Sequence, residues 1–351
     1  MAHKWGRATI CYPANSKSQM KKTVAFSKNA INVFFHILTQ CNLSCKHCYI
    51  NKDQHGDQVL PLKTIEAWLS VFARRSNAAN VIFLGGEPTM HPDLPAAIKI
   101  AKAIGYGYIT VDTNGYLFND ILSKVAPDEV DYFSFSLDGA TRATNDMIRG
   151  EDCYDKCIAG IHKAVQAGFS TSLIYTVSTM NIHELDKMPP LLKDLGVDRF
   201  FIQIIGIRGE SVKIEQGNLQ VSPSQWLKII PDVAEKIAGL GITVTYPKVF
   251  LSTDEHFECA GIVAENYFIF PNGRVYRCPL CEDFPLHSLE LKNNKLHRTS
   301  RINEADLFRL NIPEGCVMNK LVQPGNISYT SDGFPKYKVA CCMLKEEISN
   351  P

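Results

Sequence analysis

The stretch "INVFFHILTQCNLSCKHCYI", residues 31–50, joins an apolar run to three cysteines spaced C-x3-C-x2-C. Its first eight residues, 31–38, read as a buried strand, because a short apolar run with polar flanks suits a parallel sheet. Cys41, Cys45 and Cys48 then follow in one loop. Structural metal sites generally use four protein ligands, and an open position is what makes a site catalytic. A 4Fe–4S cube held by three thiolates leaves one iron free for a non-protein ligand. Zinc with His47 as fourth ligand, and plain core packing, are the alternatives. His47 directly precedes Cys48, an awkward pair for one tetrahedral ion, so the spacing favours iron–sulfur over zinc.

Strand and helix patterns alternate outward from this stretch. Ile65, Trp68, Leu69 and Phe72 share one face of a helix over 62–75. Strands follow at "NVIFLGGE" (80–87), "YITVDTNG" (108–115), "DYFSFSLDG" (131–139), "STSLIYTV" (170–177) and "DRFFIQIIG" (198–206). Helices are predicted over 93–104 and 154–167, and one over 183–195 is broken by Pro189 and Pro190. Six such strand–helix units in a row predict an α/β fold with a parallel sheet, which an open doubly wound sheet and a barrel both satisfy. In either, ligands collect at the C-terminal ends of the strands. The cysteine triplet, "GGE", "TNG" and "SLDG" therefore share one rim. Gln203, polar among apolar neighbours, faces either the lumen or the outside.

The texture changes past residue 220. A helix near 224–239 and "ITVTY" (242–246) precede "NYFIFPNGRVYRC" (266–278), a hairpin turning at "PNG". Cys259, Cys278, Cys281, Cys316, Cys341 and Cys342 fall in this part. Three units are expected: a basic arm over 1–30, a core over 31–220 and a cysteine-rich extension over 221–351. The arm has no acidic residue, and the first in the chain is Asp53. It reads as a solvated face, an attractor for an anionic substrate or acidic peptide, or a transit peptide.

The chain has 351 residues, 45% of them hydrophobic, and a formal net charge of +1, which asks for no nucleic acid. No apolar run is long enough to span a membrane, and no secretory h-region opens the sequence, so a cytoplasmic protein is expected. Twelve cysteines without an export signal point to metal or redox use rather than disulfides.

"CNLSCKHCYI" resembles the signature of the radical S-adenosylmethionine (SAM) superfamily, with His47 at a position that is usually aromatic. The resemblance covers about 31–210 and implies a partial (β/α)6 TIM-type barrel. It implies a 4Fe–4S cluster on Cys41, Cys45 and Cys48 with SAM chelating the open iron. The reduced cluster cleaves SAM to a 5′-deoxyadenosyl radical, which abstracts hydrogen from a substrate. Gly85, Gly86 and Glu87 then bind the SAM amino group, Asn114 lines the site, Ser136 contacts the ribose and Arg149 pairs with the carboxylate. An arginine suits a carboxylate because its planar fork bonds both oxygens; a surface ion pair is the alternative for Arg149. Asp138 is an alternative cap for the following helix.

Cys259, Gly273 and Cys278 resemble the opening of SPASM and Twitch domains, which hold auxiliary clusters. Full SPASM domains carry seven cysteines in this region and end in a dense run that is missing here, so one auxiliary 4Fe–4S cluster is expected. Cys259 and Cys278 are its first ligands, joined by Cys281 and Cys316, with Cys341 or Cys342 as a further one. A zinc ribbon is the alternative. Cys153 and Cys157, one helical turn apart, are buried apolar residues or thiol hydrogen donors. The implied partners are a reductant such as flavodoxin or ferredoxin and a substrate. The substrate is a peptide or protein undergoing maturation, or a small molecule such as a sugar or tetrapyrrole. About thirty residues precede the first strand, too few for a leader-peptide-binding domain. An iron–sulfur carrier or zinc-binding protein without catalysis is the alternative from another class.

Overall fold

The computed structural model describes residues 20–24, 31–73, 79–214, 219–340 and 342–349. Apart from Met20–Val24, the basic arm over 1–30 lies outside them, as does Cys341. The strands run β1 (Met20–Val24), β2 (Ile31–His36), β3 (Ala79–Leu84), β4 (Tyr108–Thr113) and β5 (Tyr132–Ser136). They continue as β6 (Thr171–Val177), β7 (Arg199–Ile204), β8 (Thr243–Pro247), β9 (Phe250–Leu251) and β10 (Glu265–Ile269). The last are β11 (Arg274–Tyr276), β12 (Leu289–Lys292), β13 (Lys295–Arg298), β14 (Lys338–Val339) and β15 (Lys345–Ser349).

Strands β2 to β8 lie side by side in chain order, each parallel to the next. An order without reversal has no switch point, so the winding is that of a barrel rather than a doubly wound sheet. The sheet does not close. It ends at β1 beyond β15 on one side and at β13 on the other, with β10 parallel to β2. This is an open, partial barrel. The expected six strands are followed by a seventh, because the helix Pro223–Ala238 and β8 continue the same winding. The change of texture at residue 220 therefore falls inside a continuous sheet. Among the described residues no helix is long and apolar enough to cross a membrane.

Alternation along the strands sorts the two faces. Val33, Phe35, Val81, Phe83, Ile109, Val111, Phe133, Phe135, Leu173, Tyr175, Phe200 and Ile202 point to the helices and make the main core. The other face lines the lumen: Asn32, Asn80, Asp112, Ser134, Thr176 and Gln203 alternate with those residues. Gln203 thus faces inward. At the lumen floor Asn80 donates to Asn32 at 3.0 Å and Asn32 to Asn266 at 2.9 Å, stitching β3, β2 and β10 together. Phe34 stacks on Phe268 with centroids 4.5 Å apart, across the same pairing.

Pro189 and Pro190 do not break a helix. A 3-10 turn over Ile182–Lys187 leads into the helix Met188–Leu195, and the prolines sit in its first turn, where no amide donor is needed.

Phe35 is wholly buried in the central part of this core. Phe35→Ala is expected to cost about 3–5 kcal/mol, read as a drop in the chemical denaturation midpoint of the apoprotein.

Candidate active site

The loops after β2, β3, β4, β5 and β7 meet at one end of the barrel. The cysteine loop is gripped there from three sides. A Cβ on Gly86 would lie 2.1 Å from the Gln40 carbonyl oxygen, and one on Gly85 would lie 2.8 Å from that of Leu38. Only glycine lets the two loops run this close, and the contact is sealed by Gly86 N–H to Leu38 (3.1 Å) and Glu87 N–H to Gln40 (2.9 Å). At the far end Gly209, at φ +59, packs its backbone on Cys48, and Glu210 N–H bonds the Cys48 carbonyl at 2.8 Å. In the middle Lys46 N–H bonds the Ile148 carbonyl at 2.9 Å.

Cys41, Cys45 and Cys48 are half-buried on this loop. Burial pushes the Cys41 thiol up to about 12 and the Cys45 thiol to about 11, and raises Cys48 too. Free thiols here stay protonated, and a metal must displace the proton. Hydrogen-bond donors crowd the site. Leu43 N–H reaches the Cys41 sulfur at 3.4 Å, and the Asn114 amide lies 3.7 Å from it and 2.9 Å from Asn42 Oδ1. Asn42 Nδ2, His47 Nδ1 and Arg149 Nε are buried without a hydrogen-bond partner. Three thiols surrounded by spare donors fit an anionic sulfide cluster and the carboxylate of an amino acid.

Asp138 organises the donors. Its Oδ2 meets Arg149 at 2.6 Å and His47 at 3.1 Å, and its Oδ1 accepts Thr176 N–H at 2.6 Å. Burial works to raise this carboxyl, but Arg149, with His47 and the amide, overrides it and holds it at about 2. Asp138 is therefore not a helix cap. Thr141 caps the helix Arg142–Arg149 through Thr144 N–H, at 3.4 Å. His47 is a partner of Asp138, which the sequence did not signal.

Glu87 is almost fully buried and tied down. Its Oε1 accepts from Thr89 N–H (3.0 Å), Thr89 Oγ1 (2.6 Å) and Thr113 Oγ1 (2.8 Å), and its Oε2 from Asn114 N–H (2.7 Å). The carboxylate fastens the β3 loop to the end of β4, and only Oε2 has a lone pair left for a ligand. Ser136 ends β5 on the lumen side, and its carbonyl accepts the Cys157 thiol at 3.6 Å. Cys153 and Cys157 are buried on the packed face of the helix Cys153–Gln166.

Asp112 was not singled out from the sequence. It faces the lumen from β4, opposite Ser134, and burial pushes its carboxyl up to about 7 against a hydrogen bond from Ser134 and the Lys345 charge. Its alternation with Val111 and Thr113 was the available signal.

The second group of thiols sits at the β10–β11 hairpin. Gly273, at φ +84, makes the turn and lies against the Leu291 backbone, which bonds it at 2.7 Å. Cys259, Cys278 and Cys316 line one pocket with Phe257, Phe308 and Met318. The Cys278 and Cys281 side chains are hydrogen-bonded, and Cys342 lies within electrostatic reach of Cys316. Beneath them the buried Glu304 accepts Arg277 N–H at 2.7 Å and Cys278 N–H at 3.1 Å. Among the described residues no three His, Cys, Asp or Glu side chains converge on one point, as a single ion needs.

Residues 36–189 match the family described as the radical SAM superfamily. Over 250 residues it is 28% identical to Fe-coproporphyrin III synthase of Methanosarcina barkeri (strain Fusaro / DSM 804), covering 70% of this chain and 61% of that protein. Over 199 residues it is 30% identical to a probable GTP 3′,8-cyclase of Saccharolobus solfataricus (strain ATCC 35092 / DSM 1617 / JCM 11322 / P2), covering 56% and 62%. The chain thus spans about three fifths of these relatives, 61% and 62%. In fold it is similar to SuiB of Streptococcus suis bound to S-adenosylmethionine, with TM-score 0.61 and 15% identity over 84% of this chain and 68% of that one. SuiB bound to precursor peptide SuiA gives 0.59 and 15% over 84% and 67%.

Two outcomes test this site. Gly86→Ala is expected to lose the iron held by the cysteine loop while far-UV circular dichroism stays unchanged, checked by iron analysis after anaerobic reconstitution. The kcat/KM profile for substrate should inflect near pH 7, where the Asp112 carboxyl loses its proton, and Asp112→Asn should flatten that inflection.

Proposed function

We propose that this chain is a radical SAM enzyme that abstracts hydrogen from a peptide or protein substrate. The observation that carries the chemistry is the three-thiol loop set among unpartnered donors at the barrel rim. Cys41, Cys45 and Cys48 would hold a 4Fe–4S cluster, which together with SAM would supply the radical chemistry of hydrogen abstraction. Arg149 keeps its charge through Asp138 and offers Nε and its remaining nitrogens to the SAM carboxylate. Asn114 orients Cys41, and Glu87 holds Asn114 in place through the backbone. Ser136 is placed to meet the ribose. Cys259, Cys278, Cys281 and Cys316, with Cys342 or Cys341, hold one auxiliary 4Fe–4S cluster in the extension over 221–351. A flavodoxin or ferredoxin in the cytoplasm supplies the electron.

Lumen chemistry supports a peptide. Ser134, Thr176 and Gln203 present hydroxyls and an amide from three strands, partners suited to peptide groups. SuiB, of the same fold, has been seen with a precursor peptide. The second reading is a tetrapyrrole substrate, favoured by the sequence likeness to Fe-coproporphyrin III synthase. Cys153 and Cys157, packed away from the lumen, fit a structural part better than hydrogen donation.

Anaerobic reconstitution should load about eight irons, two cubes. Dithionite and SAM should then give 5′-deoxyadenosine slowly without substrate. Arg149→Ala should weaken SAM binding by roughly one to two orders of magnitude, since a charge-assisted bond is worth about 1.5–3 kcal/mol. A peptide library and iron-coproporphyrin III, offered side by side, decide the substrate class. Turnover of the porphyrin alone would overturn the peptide assignment, and zinc in place of iron would overturn the whole reading.

A further inference from the structure

Arg208 stands between the two thiol sites, on the loop after β7. Its guanidinium lies over the Tyr49 ring, 4.6 Å from the centroid, and Tyr49 directly follows Cys48. The same guanidinium pairs with Glu282 and bonds the Pro279 carbonyl, two residues that interleave with Cys278 and Cys281. The adjacent Gly209 packs on the Cys48 backbone and donates its N–H to Asp283 at 2.9 Å. One short loop therefore grips both cysteine segments. A second link runs through His36, which bonds the Tyr49 hydroxyl at 2.8 Å and the Ile269 carbonyl at 3.0 Å, and stacks on Phe270 at 4.1 Å.

The arginine side chain is 11% exposed and that of Glu282 1%, and Arg208 Nε has no hydrogen-bond partner. A buried ion pair adds little stability over packed apolar residues, so its stability does not explain it. Its charge is weakly screened by solvent in a low-dielectric interior, although Glu282 offsets part of it. The cation acts electrostatically on Cys48 at one site and on Cys342 at the other. Each cluster gains one negative charge when it takes an electron from an external reductant, with no bond made or broken. A fixed cation stabilises that reduced form.

We propose that Arg208 is a buried charge shared by the two thiol sites, which raises the reduction potential of both clusters. It acts as a positioning and tuning residue, not a catalytic one. The inference rests on the function proposed above, in that both thiol sets hold clusters.

The test is an anaerobic redox titration, followed by electron paramagnetic resonance, of the reconstituted full chain as wild type, Arg208→Gln and Arg208→Lys. In the Gln protein both clusters should favour the oxidised form by tenfold or more, about 59 mV for one electron. The Lys protein should stay within that limit. A double variant, Arg208→Gln with Glu282→Gln, leaves no lone buried carboxylate and guards against misfolding. In it the cluster on the Cys41–Cys48 loop should still move to lower potential. A wild type without a second cluster overturns both the proposed function and this inference. Two clusters whose potentials stay put in the Gln and double variants, or move as far in Lys as in Gln, overturn this inference alone.

Discussion

Any side chain at residue 86 would occupy the space of the Gln40 carbonyl. That exclusion sets the distance between the first two loops of the rim and, through it, the position of the cysteine loop. The Gly85–Gly86 pair makes room for the backbone that leads into Cys41. Gly209 does the same at the other end of the loop, against Cys48. Backbone-to-backbone contacts of this kind have no rotamers, so they hold a loop with little residual freedom.

Charge is arranged around that frame with economy. Arg149 and Arg208 are both buried, each paired with one carboxylate, Asp138 and Glu282, and each within electrostatic reach of cysteine sulfurs. Pairing keeps the cations charged where burial would penalise them, and it leaves Arg149 Nε and Arg208 Nε without a hydrogen-bond partner. Glu87 and Glu304 play the complementary part: buried carboxylates that collect backbone and hydroxyl donors and hold the loops from beneath.

Much of this was legible in the residue string. The strand runs, the triplet spacing and the turn at "PNG" are local patterns, and each formed within a few residues of its expected place. The partners of Glu87 were not legible. A GGE motif names a carboxylate but not its acceptors, and Thr89, Thr113 and Asn114 reach it only once β3 and β4 are side by side. The pairing of Asp138 with His47 and Arg149 spans the loops after β2 and β5, and no periodicity reports it. Arg208 had a signal, the glycine-flanked "GIRGE" after a strand on the polar rim, but its partners come from segments on both sides of it in the chain.

By itself the sequence determined the parallel α/β winding, the shared rim and the two sets of thiols, because alternation and spacing are properties of neighbours along the chain. Only the tertiary structure decided that a seventh strand continues the barrel and that β10 lies parallel beside β2, closing the gap between the two cysteine segments. It alone decided which carboxylate meets which arginine. The physical reason is that strand order and buried ion pairs are set by contacts between residues far apart in sequence. Those contacts are chosen by burial and by the need of every buried charge for a partner.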